Sequence, residues 1–178
     1  FDLDTFIDIG AADGYFAIGV LVNKLFKKTI AFDISEKSKV FLKKNASLNN
    51  VNSMISIHNT ANHFDLKKMI DKKVVDPSNT LILCDIEGSE YELINSRFLE
   101  LFKQSHLIIE LHSFNDNLKY KKEIFLEQVS LFHNFEIHFE KGKKYNYSEL
   151  NNYTDNERLL ILSEGRAELG QWLYLSPK

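Results

Sequence analysis

The chain has 178 residues, 44% of them hydrophobic, and a formal net charge of −3, which suits one domain with a full core and carries no basic excess to suggest a nucleic-acid partner. Its single cysteine, Cys84, excludes an internal disulfide and a multi-cysteine zinc site and fits a reducing compartment, so a cytoplasmic location is expected. No apolar run reaches membrane-spanning length and no signal peptide is visible, so no membrane span is expected.

Thr5–Ile9 reads as the first strand, and it runs into Gly10-Ala11-Ala12-Asp13-Gly14. Because this bend comes so soon after Phe1, which is not a methionine, we expect a missing preceding segment that could include a lid over a ligand. Tyr15–Lys27 follows as a helix that is apolar nearly all round and hence expected to be well buried. Thr29–Phe32 is the second strand, ending at Asp33. Ser35 can cap the next helix, which should carry Phe41, Leu42 and Leu48 inward and end near Asn49-Asn50. Met54–Ile57 looks like a third strand, followed by a polar helix around Phe64–Lys73 and a turn at Pro77.

Thr80–Cys84 is a fourth apolar strand and ends at Asp85. Ser89 and Glu92 have the spacing of a capping box, opening a helix with Ile94, Phe98, Leu101 and Phe102 inward. His106–Leu111 is the fifth strand and Asn117–Phe132 a long charged helix. Phe135, Ile137 and Phe139 then alternate with Glu136, His138 and Glu140, the period of a half-exposed strand. A loop rich in Lys, Tyr and Asn spans Gly142–Tyr153. Thr154 and Glu157 make a second capping box, for a helix that should stop near Gly165, and Gln171–Leu175 is the final strand. The alternation of strand and helix signals predicts a parallel sheet covered by helices, in a single α/β domain over residues 1–178.

Polar residues gather at the carboxyl ends of successive strands: Asp8, Asp33, Asn62, Asp85 and the Glu110–His112 pair. In an open α/β sheet those ends share one edge, where ligands bind at the reversal of strand order. The bend after Ile9 has the layout of a cradle for a nucleotide-like cofactor, since Gly10 and Gly14 can take φ values closed to other residues and the small side chains allow close approach. Its carboxylates repel phosphates and bind hydroxyls, amines or a cation. Asp33 follows Gly10 by roughly the twenty residues that put an acid on the ribose hydroxyls of an adenosine; its alternative is a strand-end acid facing solvent or capping the next helix. A dinucleotide fold wants G-x-G-x-x-G, but Ala12 replaces the middle glycine, Tyr15 the third, and a pyrophosphate would meet Asp13. The acid-x-Gly-x-x-x-Gly pattern suits S-adenosylmethionine, which carries an ammonium and a sulfonium.

On Asp8-Ile9-Gly10-Ala11-Ala12-Asp13-Gly14-Tyr15-Phe16, Asp85-Ile86-Glu87-Gly88-Ser89-Glu90 and Ile108-Ile109-Glu110-Leu111-His112, with Asn45 in the second helix, the chain resembles a class I S-adenosylmethionine-dependent methyltransferase of the FkbM type. The likeness runs from Thr5 to about Phe132 and departs from the family at Ala12, usually asparagine, and at Asp33-Ile34, usually Glu-Pro. It implies a Rossmann-like, doubly wound, mostly parallel sheet of about seven strands with the last antiparallel. It implies that Asp8, Gly10, Ala11, Ala12, Asp13 and Gly14 line the methionine end and the ribose, with Phe16 beside them. Asp33 would bind the ribose diol next to Ile34, and Ala61 and Asn62 would border the adenine. Asp85 and Glu87 would lie beside the sulfonium and the acceptor.

A neutral hydroxyl acceptor gains from a base within hydrogen-bond reach, and Asp85, Glu87 and His112 are the candidates. Each has a plainer role available: Glu87 can orient the Gly88–Ser89 turn, and His112 can be a strand-end histidine satisfied by a neighbour. Glu110 is costly to bury unpaired and should have a partner. The trio Asp85, Glu87 and His112 could hold Mg²⁺, but the reading adopted is metal-free. The expected activity is O-methylation of a small hydroxylated acceptor, with a sugar or glycan-linked hydroxyl suggested by the resemblance and S-adenosylhomocysteine as product, in a monomer or homodimer. A nicotinamide-dependent oxidoreductase and a non-catalytic cofactor-binding domain are the alternatives.

Overall fold

The computed structural model describes residues 3–113, 115–139, 148–162 and 170–178. Seven strands form one sheet: β1 (Thr5–Ile9), β2 (Lys28–Phe32), β3 (Ile55–His58), β4 (Thr80–Cys84), β5 (His106–Glu110), β6 (His133–Phe139) and β7 (Gln171–Pro177). Their order is β3-β2-β1-β4-β5-β7-β6. Neighbours among β1 to β5 pair in parallel, whereas β7 is antiparallel to both β5 and β6. This is the Rossmann-like, doubly wound sheet expected. Strand order reverses between β1 and β4, and the loops at their carboxyl ends are those after Ile9 and Cys84.

Seven helices accompany the strands among the described residues: α1 (Tyr15–Val22), α2 (Glu36–Leu48), α3 (His63–Asp71), α4 (Glu90–Leu93), α5 (Ser96–Leu101), α6 (Asp116–Val129) and α7 (Asp155–Leu162). The central strands read as unbroken apolar runs because both of their faces are covered; all five residues of β1 are buried. Alternation along the strands sorts them between two cores. Ile7, Ile9, Ile30 and Phe32 pack with Phe98, Leu99 and Phe102 on one face. Ala31 packs with Ala17, Ile18, Leu21, Leu42 and Ala46 of α1 and α2 on the other.

Several local expectations needed correction. Helix α1 stops at Val22, capped by Asn23, and Lys24 turns the chain with φ 57°. It buries Ala17, Ile18 and Leu21 but exposes Tyr15, Phe16 and Val22, because only one stripe of the helix meets the sheet, and Leu25 beyond its end is exposed too. Helix α2 starts at the Ser35 cap as expected, with Asn49 as its C-cap, but its inward row is Lys39, Leu42 and Ala46; Phe41 and Leu48 are exposed. The single helix foreseen from Ser89 is two short ones. Ser89 makes no side-chain cap. Instead Asn95 accepts from the Arg97 and Phe98 amides and starts α5. Ile94, Phe98 and Phe102 are nevertheless buried.

The Thr154–Glu157 capping box forms, with Thr154 N–H donating to Glu157 at 2.8 Å and Glu157 N–H to Thr154 at 3.4 Å. Strand β6 lies at the sheet edge, so its alternation yields little burial: Phe135 and Phe139 are exposed and Ile137 alone of the three packs on the core. The first half of the Gly142–Tyr153 loop and the expected helix stop at Gly165 lie outside the described residues.

Candidate functional site

The bend after β1 is held by its own neighbours. Gly10 and Ala11 donate their N–H groups to the Phe32 carbonyl at 2.9 and 3.0 Å, and Gly14 donates to the Ala11 carbonyl at 2.8 Å. From α2, Asn45 donates through Nδ2 to the Asp13 carbonyl at 2.9 Å. Gly10 and Gly14 have φ of 93° and 97°, and Ala12 takes φ 47°, a left-handed conformation that asparagine tolerates better than alanine. The positive φ expected of both glycines is thus present, and packing adds a second reason for them. A Cβ on Gly10 would run into the Asp85 carbonyl, and one on Gly14 into Leu42 and Ile18. Both glycines thus let parts of the protein approach each other.

Asp33 ties two loops together. Its Oδ2 accepts from the Ala12 amide at 2.8 Å and its Oδ1 from the Ser35 amide at 2.7 Å. Each carboxylate oxygen retains a second lone pair. Next to it, Ile34 is 82% exposed, an apolar side chain on the rim of the same edge.

A cavity of about 730 Å³ opens at this edge, lined by Ile9, Gly10, Ala12, Phe32, Asp33, Ile34, Asn59, Thr60, Ala61, Asp85, Ile86, Glu87, Ser89, Glu92 and Leu93. Its charged lining consists of four carboxylates, Asp33, Asp85, Glu87 and Glu92, with no lysine or arginine among them. A second cavity of about 650 Å³ shares Phe32, Asn59 and Thr60 with it and reaches Asn62, Asp65 and Lys68.

The first cavity brings together Gly10, Ala12, Asp33, Ile34, Ala61, Asp85 and Glu87 of the residues singled out from sequence. Asp8, Ala11, Asp13, Gly14, Phe16, Asn62 and His112 are not in its lining. Asn62 caps α3, accepting from Asp65 N–H at 2.9 Å and donating to the Asp65 carboxylate at 2.7 Å. Asn59, Thr60, Ile86 and Leu93 were missed; Asn59 and Thr60 carried the polar strand-end signal directly after β3, and the two apolar residues carried none.

Asp8 is 2% exposed. One carboxylate oxygen is held by the Ala17 amide, and Oδ2 is buried with no hydrogen-bond partner among the described residues. Burial pushes its pKa up to about 7 against the Ala17 hydrogen bond, with the Asp85 and Asp33 charges adding to the rise. Asp85 is likewise pushed up to about 7, first by burial and then by Glu110, whose carboxyl hydrogen-bonds it. Buried Glu110 thus stands beside another acid. Oδ1 of Asp85 is buried without a hydrogen bond among the described residues.

His112 joins this group from the end of β5. Its Nε2 lies 3.9 Å from Asp85 Oδ1 and 3.4 Å from Glu87 Oε2. Its pKa is raised, chiefly by a hydrogen bond to Glu90 that outweighs burial, with help from the Glu90, Glu110 and Glu87 charges. Glu87 is itself exposed and sits at φ 54°, followed by Gly88 at φ 99°. Two successive left-handed residues turn the chain sharply and set the Glu87 side chain beside His112, with backbone strain at Glu87 of about 1–2 kcal/mol. The ligand atoms of Asp85, Glu87 and His112 lie within 4.8 Å of one another, a spacing that one cation can bridge.

No family model matches the chain, and no curated protein matches it. Among solved structures, the O-methyltransferase TomG of Streptomyces achromogenes, in complex with S-adenosylmethionine, superposes with a TM-score of 0.67 at 11% identity, over 99% of this chain and 74% of its own. An O-methyltransferase from Bacillus cereus in complex with S-adenosylhomocysteine gives 0.64 at 14% identity, over 97% and 73%. A putative rRNA methylase from Clostridium thermocellum gives 0.58 at 14%, over 98% and 87%. At these identities the likeness establishes the fold: the chain has the Rossmann-like architecture of the class I methyltransferases.

Proposed function

We propose that this protein is an S-adenosylmethionine-dependent methyltransferase that methylates a hydroxyl oxygen on a small acceptor, with a sugar or glycan-linked hydroxyl as the favoured class. The observation that carries the reading is the carboxylate-only charge of a cavity of about 730 Å³ at the strand-order reversal, together with a buried oxygen of Asp8 that has no hydrogen-bond partner among the described residues. Such a site favours an ammonium or sulfonium and repels a diphosphate. The methyltransferase fold of the neighbours supports it, and the FkbM-type assignment rests on the three sequence motifs.

In this reading Asp33 holds the ribose diol, Ile34 and Ala61 flank the base, and the Gly10–Ala12 backbone and Asp85 face the methionine end. The cofactor supplies an electrophilic methyl carbon, which an acceptor oxygen takes by in-line displacement while the C–S bond breaks toward sulfur, leaving the thioether S-adenosylhomocysteine. The protein's part is alignment and proton removal. The acceptor proton passes to the Asp85–Glu87–His112 group, where three closely spaced titratable side chains give it a place to go. The carboxylate of Glu87, exposed and projecting at the cavity, is suited to meet the acceptor first.

Calorimetry with S-adenosylhomocysteine and with NAD⁺ separates this reading from a nicotinamide oxidoreductase. Binding of the first and not the second is expected; the opposite pattern overturns the proposal. Binding of S-adenosylhomocysteine without methyl transfer to any of a panel of mono- and oligosaccharides and phenols would favour a cofactor-binding domain that lacks catalysis. Among the described residues no helix is long and apolar enough to cross a membrane.

A further inference from the structure

Glu90 has no exposed surface, yet it carries a carboxylate and does not line the cavity. Three backbone and side-chain groups converge on it. Its Oε2 accepts from Gly88 N–H at 2.8 Å. Its Oε1 lies 3.0 Å from His112 N–H, which donates to it, and 3.1 Å from His112 Nδ1. The adjacent residue, Tyr91, donates its hydroxyl to the His112 carbonyl at 2.6 Å. A buried carboxylate is costly unless its lone pairs are used, and here every contact is either to His112 or to the turn that carries Glu87.

We propose that Glu90 is the positioning residue of this site: it holds the proton of His112 on Nδ1 and so keeps Nε2 turned toward Asp85 and Glu87, ready to take the acceptor's proton. The inference rests on the methyltransferase reading only for the destination of that proton; the geometry stands independently of it. Oε1 already accepts from the His112 backbone N–H, and the Nδ1 contact to that same oxygen completes a pair of donors when Nδ1 carries the proton. A neutral imidazole then has its lone pair on Nε2. The hydrogen bond to Gly88 fixes the other end, so that the strained turn at Glu87 and the imidazole move as one unit. Among the described residues, the charged groups set against the ring are Asp85, Glu87, Glu90 and Glu110.

The test uses the full chain labelled with ¹⁵N and reads the imidazole of His112 in two-bond ¹⁵N–¹H spectra at a pH where the ring is neutral. The expected signature is a proton on Nδ1; free neutral histidine favours Nε2, and finding His112 in that form overturns the proposal. Glu90→Gln keeps an acceptor oxygen and is expected to keep the Nδ1–H form, whereas Glu90→Met removes it and should release the ring to the Nε2–H form. A Glu90→Met protein that folds and still shows Nδ1–H also overturns the proposal. If that variant does not fold, the wild-type and Glu90→Gln spectra decide. With an acceptor in hand, Glu90→Met should lose roughly 10²-fold or more in methyl transfer. A wild-type chain that ignores S-adenosylhomocysteine but shows the Nδ1–H ring would defeat the methyltransferase reading and leave the positioning role standing.

Discussion

Ala12 donates its backbone N–H to Oδ2 of Asp33 at 2.8 Å, so the loop after β1 and the loop after β2 are closed by one carboxylate. The same side chain accepts from Ser35 at 2.7 Å. Capping-like and ligand-binding roles, which look like alternatives on the sequence, do not exclude each other: the two backbone hydrogen bonds leave each carboxylate oxygen a second lone pair, and Asp33 lines the cavity.

That geometry predicts the outcome of replacing Asp33. Asp33→Ala removes charge-assisted hydrogen bonds worth about 1.5–3 kcal/mol each, so S-adenosylhomocysteine affinity should fall about 10- to 100-fold. Some folding stability should go with it, since the Ala12 amide loses its acceptor. Isothermal calorimetry checks the first effect and urea titration the second. Unchanged affinity in the variant would remove the ribose role from Asp33.

The raised carboxyls predict a pH response with a definite sign. Asp8 and Asp85 both titrate near pH 7 in the folded chain, against an ordinary value of 3.8. A group whose pKa is raised by folding contributes stability that is full below its unfolded pKa and lost as pH rises through the folded one. The ligand-free protein should therefore be destabilised by ionisation of these groups between about pH 4 and pH 7, while affinity for the cationic methyl donor rises over the same range and binding releases protons. Asp8→Asn should flatten its share of both trends. Thermal unfolding against pH, paired with calorimetry in buffers of different ionisation enthalpy, reads both.

The glycines of the bend predict a stability loss and not a simple binding defect. Gly14→Ala puts a methyl group against Leu42 and Ile18 at a backbone φ of 97°. Overpacking and left-handed strain each cost on the order of 1–3 kcal/mol. Gly10→Ala should be worse, because what its Cβ meets is the backbone carbonyl of Asp85, which cannot rotate away as a leucine tip can. Denaturant midpoints of the two variants give the ranking; a Gly10→Ala protein as stable as wild type would contradict this account of the bend.

The regular elements were legible because their signals are local. Thr5–Ile9 and Thr80–Cys84 are apolar runs of strand length with a polar stop, and both form as read. Ser35 and Thr154 cap helices at the positions their side chains indicate. Errors arose where the deciding partner is distant in sequence. Ser89 and Glu92 satisfy the spacing of a capping box, but Glu90 draws the Gly88 amide and the 112 position into its own network, and the helix restarts at Asn95. The apolar face of α1 was overestimated because hydrophobicity all round a short helix does not say which stripe meets the sheet.

Taken alone, the order of residues determined the α/β alternation, the polar ends of the strands and the acidic character of the bend, since each depends on neighbours within a few positions along the chain. Only tertiary structure decided that Gly10 is small for the sake of Asp85, that Glu110 lies beside Asp85, and that Glu90 reaches across 22 positions to His112. Such contacts follow from how parallel strands bring their carboxyl ends to one edge, where residues far apart in sequence compete for the same few hydrogen bonds and protons.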